Sequence, residues 1–87
     1  MSEDVRRAVA LRYEPEIDTA PYVVASGERL LAERIINEAA KLGVHIVKDK
    51  KLSDGLIKLE INQEIPPEVY SAVAEIIAFV YELDRRQ

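Results

Sequence analysis

Residues 22–47 read YVVASGERLLAERIINEAAKLGVHIV. The stretch opens with an apolar, β-branched run, YVVA, and closes with another, VHIV at 44–47. Between them Leu31, Ile35, Ala39 and Leu42 recur at helical spacing, which predicts one apolar stripe turned inward. Ser26 is placed to cap this helix, with Glu28 in the first turn, where the helix dipole favours a carboxylate. Lys41 and Gly43 mark its end. Strand, helix, strand at this length predicts a right-handed crossover, with the two strands parallel.

Working outward, Ala8 to Tyr13 alternates Val9, Leu11 and Tyr13 with Ala8, Ala10 and Arg12. That period predicts a strand whose alanine face meets something close, such as a packed helix. The connection EPEIDTAP is rich in turn formers, and Pro21 fixes the chain just before YVVA. The first two strands are therefore expected to pair antiparallel. Downstream, Asp49 is placed to cap a short helix in which Leu52, Leu56 and Leu59 share a face, weakened by Gly55. EINQE reads as a connector. Pro66 and Pro67 open the last helix, Pro67 in a first turn where its missing N–H costs nothing. Ile65 is positioned to staple onto Tyr70.

The last helix carries two apolar stripes. Val69, Val73, Ile76, Val80 and Leu83 form one, and Tyr70, Ala74, Ile77 and Tyr81 form the other. Two stripes are more than one small core needs. Either the helix wedges between sheet and neighbour and buries both, or part of the second stays exposed for docking. The fold class is α/β: a single domain with a small mixed sheet of three to four strands surrounded by helices, spanning residues 8–84 behind a flexible leader at 1–7.

Composition narrows the function. The 87 residues suffice for one compact domain with a small core. A net charge of −4 disfavours nucleic acid, which needs a positive footprint, and the short basic clusters at 6–7, 48–51 and 85–86 read as solvated faces. The absence of cysteine removes disulfides and thiolate metal sites and fits a reducing compartment. No apolar run approaches the roughly 18 residues of a membrane span, and MSEDVRR is not a signal peptide. A cytoplasmic chain without membrane insertion is expected.

Chemistry finds no footing. His45 lies between apolar residues in VHIV and reads as a satisfied sheet histidine, with no Ser, Cys or paired acid at a telling spacing. Scattered acids make no metal set, and three glycines make no phosphate loop. Glu14, Glu16 and Asp18 alternate around Pro15 as a solvated turn, and Ser26 and Ser53 read as caps. No catalytic residue, metal or cofactor is expected, so binding is the favoured class. A soluble regulatory domain that binds a protein or a small molecule is the alternative.

The blocks AVALRYEP, APYVVASGERLLAERI, GVHIV and EIPPEVYSAVAEIIAFVYEL, in that order and spacing, resemble the cytoplasmic domain of the flagellar type III export protein FlhB and its injectisome relatives. The similarity runs from about Ala8 to Leu83. It implies a small sheet surrounded by helices and a place in type III protein export, with export substrates and export-gate proteins as partners. A monomer is expected, cytoplasmic and peripheral to the export apparatus, and the resemblance implies that it could stand in for the cleaved FlhB domain or compete with it. The family switches from rod and hook proteins to filament proteins by cutting itself inside an Asn-Pro-Thr-His motif before the first strand. On this sequence that motif falls on Glu3, Asp4, Val5 and Arg6, and the tyrosine after it on Arg7; none matches. A carboxylate at Glu3 is a poor substitute for the amide nucleophile, so no self-cleavage is expected, and the family's transmembrane part is not expected either. A second departure is KKLSDGLI at 50–57, where the family usually has a proline pair followed by LARALY. For substrate docking the resemblance implies a shallow apolar patch at Ala20, Pro21, Ala74 and Ile77.

Overall fold

The computed structural model describes residues 5–14 and 16–85. The chain runs β1 (Arg7–Arg12), β2 (Tyr22–Glu28), α1 (Leu30–Lys41), α2 (Lys50–Leu56) and α3 (Pro67–Arg85). The strands pair antiparallel, as the short connection between them predicts, from Arg7 opposite Glu28 to Arg12 opposite Tyr22. A bulge between Ala10 and Leu11 skips Val24 and moves the register by one residue. β1 begins at Arg7, one residue earlier than the alternation places it, and one more ladder bond joins Arg29 N–H to Arg6 C=O at 2.8 Å.

The strand expectation needs correction. Among the described residues the sheet has two strands, not three or four, and no parallel pair. Residues 44–49 carry no regular structure, so VHIV is not a strand and His45 is exposed in a loop rather than held in a sheet. The far edge of β2, on which the predicted parallel pairing depends, is already occupied by another segment. There the supposed connector runs antiparallel: Val23 N–H donates to Gln63 C=O at 3.0 Å, Asn62 N–H to Val23 C=O at 2.7 Å, and Ile65 N–H to Pro21 C=O at 3.0 Å. Tyr22 and Glu64 face each other in a single bridge. Asn62, at φ 73°, makes the sharp entry, in a region that asparagine tolerates better than most residues.

The start of α1 also differs. Ser26 caps nothing; it stays in β2 opposite Val9. The ladder outlasts the predicted cap, and the helix begins only after Arg29, which turns through φ 57° without a side-chain cap. That delay rotates the expected stripe. Ala32 is buried and Ile35, Ile36 and Ala39 are half-buried, whereas Leu31 and Leu42 are exposed. The predicted stop holds: Gly43 takes φ 76° and Val44 N–H closes back on Ala39 C=O at 2.9 Å.

Asp49 caps α2 as expected, its carboxylate accepting from Leu52 N–H at 3.0 Å. Leu56 is buried, with Leu52 and Leu59 half-buried on the same face. α3 opens at Pro67 as predicted. The core is Val23, Leu56, Ile65 and Val73, with Val9, Leu11, Leu52, Leu59, Val69 and Ile77 packed on it. Ile65 is thus a core residue in the company of Val73, while Tyr70 lies 42% exposed.

Candidate functional site

α3 sorts its residues by period. Val73 faces the core completely and Val69 partly. One step around the helix, Tyr70, Ala74, Ile77 and Tyr81 recur at i, i+4, i+7 and i+11, and Ala78 follows Ala74 by one turn. These five residues, with Tyr13 after β1 and Pro21 before β2, line an open cleft of about 400 Å³. The second stripe of α3 is therefore not sealed in the core. Ile77 both packs against the core and lines the cleft, and Ala74 is half-buried.

The wall opposite α3 is held by backbone bonds. Pro21 is buried, and its C=O accepts from Ile65 N–H, which ties the entry of β2 to the residues leading into α3. The loop beyond β1 is braced by charge. Arg12 donates to Glu14 at 3.0 Å, approaches Asp18 at 3.6 Å and lies over the Tyr22 ring at 5.7 Å. Glu14 N–H donates to the Asp18 carboxylate at 2.8 Å, and Ile17 and Asp18 N–H close on Glu14 C=O. Glu14 and Asp18 thus serve the turn, as their placement beside Pro15 suggests. Among the described residues no charged side chain lines the cleft; its polar side-chain groups are three tyrosine hydroxyls on an apolar floor, a lining suited to an amphipathic partner.

Of the four patch residues taken from the resemblance, Pro21, Ala74 and Ile77 come together here. Ala20 does not. It lines a second, more polar hollow of about 290 Å³ with Ile17, Asp18, Thr19, Tyr22, Asn62 and Glu64. Tyr13, Tyr70, Ala78 and Tyr81 complete the cleft but were not assigned to the patch. Tyr70 and Tyr81 share the stripe of Ala74, so the spacing already held that signal; Tyr13 needed the hairpin. Of the motif positions, Glu3 and Asp4 lie outside the described residues, Val5 is half-buried and Arg6 is exposed. Among the described residues no helix is long and apolar enough to cross a membrane, and no three His, Cys, Asp or Glu side chains are placed to hold a metal.

A sequence profile of the FlhB HrpN YscU SpaS Family matches residues 5–80. The chain belongs to this family. It is 44% identical over 80 residues to the uncharacterized protein YlqH of Bacillus subtilis, covering 92% of this chain and 86% of that one. It is 43% identical over 74 residues to the flagellar biosynthetic protein FlhB of Aquifex aeolicus, covering 84% of this chain and 21% of FlhB. The chain thus corresponds to about a fifth of that FlhB. The crystal structure of the cytoplasmic domain of FlhB from Shewanella putrefaciens superimposes with a TM-score of 0.85 at 30% identity, over 93% of this chain and 64% of that one. The FlhB-type fold, a small α/β domain, is therefore the frame on which α3 and Pro21 form the cleft.

Proposed function

We propose that this chain is a non-enzymatic module of type III protein export that binds export substrates or export-gate proteins through the cleft of Pro21, Ala74, Ile77 and the three tyrosines. The single observation that carries this reading is the exposed second stripe of α3. An apolar groove lined by no charged side chain among the described residues costs solubility on a domain this small, and a partner segment that fills it removes that cost. The family relationship supplies the partner class, and the position of the cleft agrees with three of the four patch residues that the resemblance marks. On this reading the chain works in the cytoplasm at the export apparatus, in place of the cleaved FlhB domain or in competition with it.

The test uses the purified chain and a purified rod- or hook-class export protein. Ala78→Asp places a charge in the cleft at an exposed position that is not part of the core. With folding intact by circular dichroism, it is expected to weaken binding roughly tenfold or more, as charge burial at an anchor site does. Unchanged binding would remove the cleft from the proposal. We also propose that the chain does not cut itself, because Glu3, Asp4, Val5 and Arg6 lack the amide, the proline and the histidine of the family motif. Intact mass after prolonged incubation should stay constant; a truncated species beginning near residue 4 would refute this.

A further inference from the structure

The two walls of the cleft are held by different means. α3 supplies one, and its backbone carries Tyr70 and Tyr81. The other is Pro21 and Tyr13, at the ends of the hairpin strands. Pro21 is buried, with its C=O bonded to Ile65 N–H. Tyr13 stands one residue past the last ladder pair, Arg12 with Tyr22. It is half-buried and is not one of the core residues. Such a ring keeps one position only if its backbone is also held from the turn side.

Asp18 holds it there. Its carboxylate accepts from Glu14 N–H at 2.8 Å, and Asp18 N–H donates to Glu14 C=O at 2.7 Å. The Glu14 N–H and the Tyr13 C=O belong to one planar peptide unit, so fixing the first orients the second. Tyr13 is thus pinned between the ladder at Arg12 and the Asp18 bond at Glu14. The Asp18 side chain is only 11% exposed, whereas those of Glu14, Glu28 and Asp54 are 40% exposed or more. A carboxylate withdrawn this far from water needs its hydrogen bond, which makes the contact a fixed part of the turn. Asp18 itself faces the neighbouring hollow with Ala20 and Tyr22 and does not line the cleft.

Building on the cleft as the binding site proposed above, we infer that Asp18 is a positioning residue for it. Asp18 sets the Tyr13 wall in place before a partner arrives and so raises affinity without touching the partner. A loose aromatic side chain must be ordered when a partner binds, and holding it in advance removes that cost. The bond to Glu14 N–H matters more here than the charge. Arg12 is exposed, lies 3.6 Å from Asp18 and donates to Glu14 as well, and exposed ion pairs contribute little. An amide oxygen at position 18 can accept from Glu14 N–H in the same way.

The test uses the purified chain and the same rod- or hook-class export protein, with binding read by titration calorimetry. Asp18→Ala is expected to weaken binding about fivefold, and Asp18→Asn to stay within about twofold of the parent. In a Tyr13→Ala background, Asp18→Ala should add less than about twofold, because the group it positions is gone. In the free chain, Asp18→Ala should move the NMR signals of the Tyr13 ring and leave the amides of residues 23–27 in place. Should Asp18→Ala lose the hairpin, Asp18→Leu keeps the volume without an acceptor and carries the same expectations. Parent-like binding by Asp18→Ala, an equal loss in the Tyr13→Ala background, or an Asp18→Asn variant as weak as Asp18→Ala would each overturn the positioning role. Any of these beside a weakened Ala78→Asp overturns that role alone and leaves the cleft standing. Unchanged binding by Ala78→Asp removes the cleft, and the role of Asp18 with it.

Discussion

Gly27 is the position where one methyl group tests how α1 is seated. It lies in β2 opposite Ala8, and its φ is not in the left-handed range, so the backbone itself would accept alanine. The obstacle is Leu31, in the first turn of α1. A Cβ built on Gly27 falls 2.6 Å from Leu31 Cδ2 and 2.9 Å from Leu31 Cβ, with Cγ closer still. Overpacking of this kind costs about 1–3 kcal/mol, and replacing a strand glycine recovers about 0.5–1 kcal/mol through the unfolded state. The net for Gly27→Ala is a loss of about 1–2 kcal/mol, or roughly 4–16 °C in Tm for a domain of this size. Leu31 is 50% exposed, so Leu31→Ala alone should cost about 1 kcal/mol. The double variant removes Cγ and Cδ2, the atoms in the way, and leaves only the Cβ contact. It should therefore be more stable than the sum of the single effects, by roughly 1 kcal/mol of coupling. Urea denaturation of the four proteins, followed by far-UV circular dichroism, measures this directly. Strict additivity, or a Gly27→Ala variant as stable as the parent, would show that α1 is not seated on Gly27 as described.

Three further outcomes follow from the same packing. Leu56→Ala opens a cavity in a core of four buried residues and should cost about 2–5 kcal/mol, read as a fall in the urea midpoint at unchanged slope. Gly55→Ala meets nothing within 4 Å and lies inside α2, so it should raise stability by about 0.5–1 kcal/mol in the same assay. Asp54 is held below the usual carboxylate range by hydrogen bonds from Lys50 first and then Arg7. A depressed carboxyl pKa gives stability that is present above the unfolded value and lost as pH falls through the folded one. The difference in stability between the parent and Asp54→Asn should therefore be largest near neutral pH, shrink once pH drops below the ordinary carboxylate range, and weaken with added salt. A difference that stays flat from pH 7 to pH 2 would refute the ion-pair assignment.

Local patterns were legible wherever one segment contains the whole signal. The Asp49 cap, the Gly43 stop and the Pro67 start are each decided within a few residues, and the structure has them where the sequence puts them. The antiparallel hairpin was legible because a short connection leaves little choice. What failed depended on competition between distant segments. VHIV has the composition of a strand, but the free edge of β2 accepts residues 62–65, which reach it from the other direction and supply Val23 with both a donor and an acceptor. Nothing in 44–47 records that loss. Ser26 has the right chemistry for a cap, yet the ladder continues past it to Arg29, and the ladder wins because it satisfies several backbone groups where a cap satisfies one. Leu31 and Leu42 then face outward because the helix starts later than the spacing assumes.

The site shows the same division. The stripe Tyr70, Ala74, Ile77 and Tyr81 could be read from spacing alone, but whether it was core or surface depended on what stood opposite. A wide apolar arc on a helix is sealed only if a second layer covers it. Here the opposing wall is one proline and one tyrosine at the ends of the hairpin strands, and the gap stays open. Ile77 stands at the boundary, touching both core and cleft. A polar substitution there disturbs packing and surface together, so lost binding in an Ile77 variant would not distinguish a missing contact from a loosened helix. Ala78 lies outside the core contacts and inside the cleft. That separation makes it the position at which the binding role of α3 can be measured apart from its role in holding the fold.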